Sequence, residues 1–240
     1  MTEMFCNQHA IERHPLAHGK AGIIRLGAHY IPAAIVNRVA VILAAILLLV
    51  AGCENAPVAI PEIDPEASVD LILAAADKDS NKILYQDEWQ QVPSLAAAAP
   101  MMDTDGDGML TRPELLSRMQ FYKNDRMALL DFTCTVLLDG RPLEGATVTL
   151  IPEPFMGPEV KPCSGITAQD GWCYMRQEGS AIPGSHCGMF RVSVSKKEAG
   201  VETIPAKYNT DTILGQEVAT DIPGLERGVT FELSSETAED

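Results

Sequence analysis

The stretch that most limits what this chain can fold into is residues 103–114, DTDGDGMLTRPE. Oxygen-bearing side chains fall at its first, third and fifth positions (Asp103, Asp105, Asp107), a glycine at its sixth (Gly108), Thr111 at its ninth and Glu114 at its twelfth. This spacing wraps three carboxylates, the Met109 carbonyl, a water held by Thr111 and a two-oxygen Glu114 around one point. Such a cage suits a hard cation that seeks about six to eight oxygens, and its size favours Ca²⁺ over the rigid octahedron of Mg²⁺. Gly108 permits the positive φ that the sharp turn at the sixth position demands. Leu110, at the eighth position, is expected to point inward and pair with a sister loop.

A sister loop lies upstream, in residues 77–88 (DKDSNKILYQDE). Asp77, Asp79, Asn81 and Glu88 occupy positions one, three, five and twelve, the Ile83 carbonyl stands at seven, and Leu84 matches Leu110. Two such loops in tandem resemble a paired EF-hand, and the resemblance covers roughly residues 65–123. Two positions depart from the pattern. Lys82 at the sixth must adopt a left-handed backbone at a cost of about 1 kcal/mol or more, and Tyr85 at the ninth is poor at holding water. The second loop is therefore expected to bind the more tightly.

Composition narrows the function classes. The 240 residues are 46% hydrophobic, enough for a real core, and 33 acidic against 18 basic residues give a formal net charge of −15. No basic face for phosphates is visible, which argues against nucleic acid as a partner. The residues after Cys53 hold 14 basic and 31 acidic side chains, a formal charge of −17. A bound cation would relieve part of that self-repulsion and stabilise the fold.

Residues 39–52 form an unbroken apolar run after Arg38 that ends in Val50, Ala51 and Gly52, with Cys53 directly after it. A basic residue, a run too short to span a bilayer and small residues at its end read as an export signal. The VAGC segment resembles a bacterial lipobox, which implies that Cys53 is lipidated and becomes the new N-terminus. The alternative is an uncleaved anchor over residues 31–52, interrupted by Asn37 and Arg38. Either way, the reading is an exported protein tethered to a membrane, on the periplasmic face or at the cell surface. Translation is expected to begin as late as Val36. The run His9, His14, His18 is discounted as a metal site because it belongs to this leader, residues 1–53. Residues 54–64, with two prolines and no apolar periodicity, read as an extended spacer.

From the spacer onward, Pro65 opens a helix that ends at Asp77, and Pro93 stops a short helix after the first loop. Ser94 is a candidate cap for the next helix, which Pro100 is expected to shorten or kink. Leu115, Leu116, Met119 and Tyr122 form a stripe at helical spacing after the second loop. Met101, Met102, Met109, Met119 and Met127 read as core filling rather than as a target groove.

Beyond residue 129 the period changes to short alternating runs punctuated by glycine and proline, the mark of an all-β domain over 129–235 with a short tail at 236–240. Turns are expected at Asp139–Gly140 and Asp170–Gly171, the second closing a hairpin. About seven strands fit an Ig-like sandwich. The segments DGRPLEGATVTLIP, Thr167 to Gly171, Gly188 to Val194 and IPAKY at 204–208 resemble the transthyretin-like or carboxypeptidase-regulatory-like β-sandwich of exported bacterial proteins. That resemblance implies a structural or interaction module without catalysis. The fold class is thus α+β and multidomain, a helical EF-hand pair followed by a seven-stranded transthyretin-like sandwich.

Cys134, Cys163, Cys173 and Cys187 fall in the β domain, and an even count in an exported domain points to two disulfides with three connectivities open. No CxxC spacing supports a zinc site there. After Cys53, His186 is the only histidine, and its neighbours Ser185 and Cys187 are too close in sequence to meet its ring productively. Aromatic residues make up 5% of the chain, too few for a sugar platform of the usual kind, and no phosphate-binding glycine loop is present. The sequence therefore reads as a non-enzyme. Two roles remain open: a structural calcium site that sets the sandwich for an envelope partner, or a calcium-responsive binding module using the loop 152–162. Accessory service to an exported enzyme is a third.

Overall fold

Asp64 accepts a hydrogen bond from the Ala67 N–H, and Pro65, with no N–H to leave unpaired, follows it. Helix α1 (Pro65–Ala76) starts there in the computed structural model, which describes residues 58–236. Val69, Ile72, Leu73 and Ala76 recur at helical spacing and are buried. There follow β1 (Ile83–Leu84), α2 (Gln86–Trp89), α3 (Pro93–Met102), β2 (Leu110–Thr111) and α4 (Arg112–Asn124). The two strands pair antiparallel with Leu84 opposite Leu110, so the matched apolar positions of the two acidic loops meet, and both side chains are fully buried.

Helix α3 differs from its expected form. It begins at Pro93 and runs through Pro100 to Met102, with no side-chain cap at its start. Pro100 sits exposed in the last turn, where its missing N–H costs one helical bond and the ring points to water. Ser94 lies fully buried and spends its hydroxyl elsewhere, as described below. Of the five methionines, Met102 and Met119 fill the core, while Met127 is exposed.

The remaining chain is mostly strand. A five-stranded sheet runs in the order β12 (Gly215–Val218), β9 (Gly188–Ser195), β5 (Thr147–Pro152), β6 (Cys163–Ile166), β8 (Arg176–Gln177). A four-stranded sheet holds β13 (Val229–Leu233), β3 (Thr133–Leu138) and β4 (Arg141–Pro142), with β7 (Trp172–Tyr174) also paired to β3. A two-stranded ladder of β10 (Lys197–Glu198) and β11 (Val201–Glu202) stands apart. The architecture is mixed α+β. The strand count exceeds the expected seven because dipeptide runs too short to show alternation also pair.

The turn at Asp139–Gly140 forms with positive φ at both residues (50° and 73°) and links β3 to β4. The Asp170–Gly171 turn also forms, yet it does not close a hairpin: β6 pairs with β5 and β8, whereas β7 pairs with β3 in the other sheet. Gly165 explains how the two arms pass. A Cβ there would lie 2.3 Å from the Tyr174 carbonyl oxygen, so only glycine lets the strands cross this closely.

The described residues all fall in one compact unit, and a single buried core runs from Val69 and Leu95 of the helices to Val148, Phe190 and Val218 of the sheets. Gly215 sets the contact between α3 and β12, since a Cβ there would lie 1.9 Å from the Pro93 carbonyl oxygen. The described part of the spacer, residues 58–64, forms no helix or strand and is not free: Ile63 is buried, and the Glu62 N–H donates to Glu159 Oε2 at 2.8 Å. The loop 152–162 is likewise docked, with Phe155, Met156 and Val160 buried. The apolar run 39–52, Cys53 and residues 237–240 lie outside the described residues. Among the described residues no helix is long and apolar enough to cross a membrane.

Candidate metal centres

Each acidic loop is shaped by its own carboxylates accepting backbone N–H groups. In the second loop, Asp103 Oδ1 accepts from Gly106 at 2.7 Å and Oδ2 from Gly108 at 3.0 Å, while Asp107 Oδ1 accepts from Met109 at 2.8 Å. Glu114 closes the loop: Oε1 accepts from the Thr104 N–H at 3.0 Å, and Oε2 from the Thr111 N–H at 2.9 Å. The Thr111 hydroxyl also donates to Oε2, at 2.7 Å, so it serves Glu114 directly in a capping box at the start of α4. Burial works against the Glu114 charge, but the hydrogen bonds from Thr111 and Thr104 outweigh it and hold its pKa below the ordinary glutamate value.

The first loop repeats this wrap with different residues. Asp77 Oδ2 accepts from the Lys82 N–H at 2.8 Å, Asn81 Oδ1 from Ile83 at 2.7 Å, and Glu88 from both Lys78 (2.7 Å) and Tyr85 (3.0 Å). Lys82 has a φ of 68°, where Gly108 in the second loop has 81°. The loops share the left-handed turn at position six, but the first forces a lysine into it. Trp89 Nε1 donates to the Gly108 carbonyl at 3.3 Å, linking the helix after the first loop to the turn of the second.

The carboxylates converge. Ligand atoms of Asp77, Asp79 and Glu88 all lie within 4.8 Å of one another, as do those of Asp103, Asp105 and Glu114. Oxygens around one cation with bonds of about 2.4 Å can stand no farther apart than about 4.8 Å, so either cluster can hold a metal ion. Asp107 and Asn81 stand in the same loops with side-chain oxygens turned to backbone N–H groups. The donor set is all oxygen, which suits a hard cation. Asp77 Oδ1 adds an independent sign: it is buried and has no hydrogen-bond partner, an arrangement that costs free energy unless something else satisfies the charge.

A second polar assembly, which the sequence reading missed, joins α4 to the sheets. Arg118, 5% exposed, donates from Nε to Glu217 Oε1 at 2.5 Å and from Nη1 and Nη2 to Asp221 at 2.6 and 2.9 Å. Tyr122 donates to the same Glu217 oxygen. The guanidinium also lies 4.7 Å from the centre of the Phe121 ring. Burial raises the Glu217 pKa above the ordinary carboxylate range, against the opposing pull of Arg118. Alongside, Ser94 Oγ donates to Glu153 Oε1 at 2.8 Å, and Asp125, at the end of α4, accepts from Thr220 Oγ1 at 2.8 Å. An arginine within the buried stripe of α4 was the one local signal available: it requires an acidic partner somewhere in the chain.

The four cysteines of the β region are all buried free thiols, and no disulfide is at bonding distance among the described residues. Neither of the two expected disulfides is formed in this geometry. Cys134 and Cys173 alone face each other, at 3.1 Å, while Cys187 Sγ faces Asp125 Oδ2 and burial pushes its pKa up to about 12. His186 is buried, with Nδ1 accepting the Lys161 N–H at 3.2 Å and burial holding its pKa below the ordinary histidine value. Ser185 donates to the His186 carbonyl, not to its ring. Comparison of the chain with protein-family models, with curated proteins and with solved structures finds no match.

Proposed function

We propose that both acidic loops take up calcium, as an EF-hand pair, and that the ions brace a transthyretin-like β-sandwich formed by the two larger sheets. The observation that carries this reading is the convergence of three carboxylates in each loop, with a buried oxygen of Asp77 left unpartnered. Asp77, Asp79, Asn81, the Ile83 carbonyl and Glu88 would hold one ion. Asp103, Asp105, Asp107, the Met109 carbonyl and Glu114 would hold the other, with Thr111 beside it. The ions would supply charge neutralisation to a chain of formal charge −15. The chain's own contribution is the fixed wrap of backbone N–H groups that aims the carboxylates inward. With Cys53 as a lipid-bearing terminus, the molecule would act at a membrane outside the cytoplasm as a structural or interaction module, not as an enzyme.

A second reading, a calcium-responsive binding module for another envelope protein, is favoured by one observation. Glu114 and Arg118 stand one turn apart on α4, so the residue that closes the second loop shares a rigid element with the side chain buried against β12. Pull-down of envelope proteins with and without chelator separates the two readings.

Calorimetric titration of the full chain with calcium, then magnesium, tests the proposal. Two calcium equivalents are expected, and Glu114→Gln should weaken the tighter one at least about tenfold. Glu88→Gln should affect the weaker one. Unchanged stoichiometry and affinity in both variants would refute the ligand assignment.

A further inference from the structure

Cys134 and Cys173 are direct partners in the antiparallel register of β3 and β7. Met175 N–H donates to the Phe132 carbonyl on one side, and Val136 N–H to the Gly171 carbonyl on the other. Hydrogen-bonded pairs alternate along an antiparallel ladder, which makes Cys134 and Cys173 one of them, with an expected Cα separation of about 5.5 Å. That separation lies within the Cα span a disulfide tolerates, about 4.4 to 6.8 Å, so the register permits the bond and the sulfur positions decide it.

Three further features support a built pair. The two sulfurs already face each other at 3.1 Å, and both side chains are within the core, at 0% and 2% exposure. The other two thiols are engaged elsewhere, Cys163 against Ser185 and Cys187 against Asp125. Gly165, on the neighbouring strand β6, leaves the room the sulfurs occupy, since a Cβ there would lie 3.3 Å from Cys173 Sγ.

We propose that Cys134 and Cys173 are a disulfide-forming pair, joined across β3 and β7 when the chain folds in the presence of an exchangeable disulfide. One cysteine attacks the donor disulfide and forms a mixed disulfide, releasing one donor thiol. The second cysteine attacks that bond, forms the Cys134–Cys173 link and releases the other donor thiol. Two protein thiols are oxidised and one disulfide is reduced to two thiols, so protons and electrons balance. The bond would tie a strand of three residues to one 39 positions away. It does not depend on the metal reading.

The test refolds the full chain in a buffer of reduced and oxidised glutathione, alkylates free thiols and maps peptides without reduction. The expected result is one crosslinked peptide joining Cys134 to Cys173, with Cys163 and Cys187 alkylated. Reduction should then lower the melting temperature by about 5 °C or more. Cys163→Ser should keep that sensitivity to reductant, whereas Cys134→Ser and Cys173→Ser should lose it. Alkylation of both Cys134 and Cys173 in refolded wild-type protein, or a link from either member of the pair to any other of the six cysteines, would overturn the proposal. The wild-type peptide map decides the matter even if a serine variant does not fold.

Discussion

The acidic loops and the α4–β12 joint use the same residue types under opposite conditions. In the loops, the carboxylates of Asp103, Asp105 and Glu114 converge with no cationic side chain among them, held in place by backbone N–H groups. In the joint, Glu217 is 1% exposed and carries its own cation, the Arg118 guanidinium at 2.5 Å, with Tyr122 on the same oxygen. One region leaves negative charge without a cation of its own. The other neutralises it with a covalently attached one. Buried pairs of the second kind are close to neutral in net stability but costly to break, because removal of one member strands the other in the core.

The largest effect should follow from breaking that pair. Arg118→Met leaves Glu217 buried without its cation and should lower folding stability by about 3–5 kcal/mol. Urea unfolding in chelator reads this without interference from metal. The double variant R118M/E217Q, which removes the buried Arg118–Glu217 ion pair and keeps an acceptor for Tyr122, should recover part of the loss. Arg112→Met provides the contrast, since its pairs with Glu66 and Asp70 are exposed and no measurable change is expected. Equal losses from the Arg118 and Arg112 variants would erase the distinction between the two regions.

A smaller effect tests how the joint is packed rather than how it is charged. Gly215→Ala places a methyl against the Pro93 carbonyl and should cost about 1–3 kcal/mol by forcing α3 off β12. Thermal unfolding in chelator is the readout, and an unchanged transition would mean that this approach is not required. In the loops the corresponding cost is conformational. Lys82→Gly removes a side chain from a left-handed residue and should raise stability by about 1 kcal/mol or less. Gly108→Ala, which introduces the same strain into the second loop, should act in the opposite direction.

This division also explains what was legible in the sequence. The loops are local: a dozen consecutive residues fix which oxygens meet, so Asp77, Asp79 and Glu88, and Asp103, Asp105 and Glu114, are brought together as their spacing requires. The turn at Asp139–Gly140 is equally local. The joint is not, because Arg118 and Glu217 lie 99 positions apart and neither neighbourhood encodes the other. The Asp170–Gly171 turn marks an intermediate case. Its residues specify a reversal of the chain, but which sheet receives each arm depends on Gly165 passing under Tyr174, a tertiary contact that turn chemistry does not carry. Cysteine number likewise could not fix sulfur geometry, which places only two of four thiols face to face.

The mildest prediction concerns Glu153, which links the helices to the sheets through a neutral donor rather than a full ion pair. Its side chain is buried, Ser94 donates to Oε1, and Arg191 Nε stands 3.6 Å from Oε2. Burial raises its pKa above the ordinary glutamate value of 4.5, and the compensating pulls of Ser94 and Arg191 do not cancel that rise. The folded protein therefore keeps a proton on Glu153 at pH values where the unfolded chain has released it. Stability from this group is greatest in acid, declines as pH rises from the ordinary value through the raised folded value, and is level above it. Glu153→Gln keeps an acceptor for Ser94 and cannot titrate. The stability of E153Q relative to wild type should thus increase over that window, read as the difference between urea midpoints measured at matched pH in chelator. A difference that stays flat or falls would show that Glu153 folds as a charged group, and the joint would then resemble the loops more closely than its burial implies.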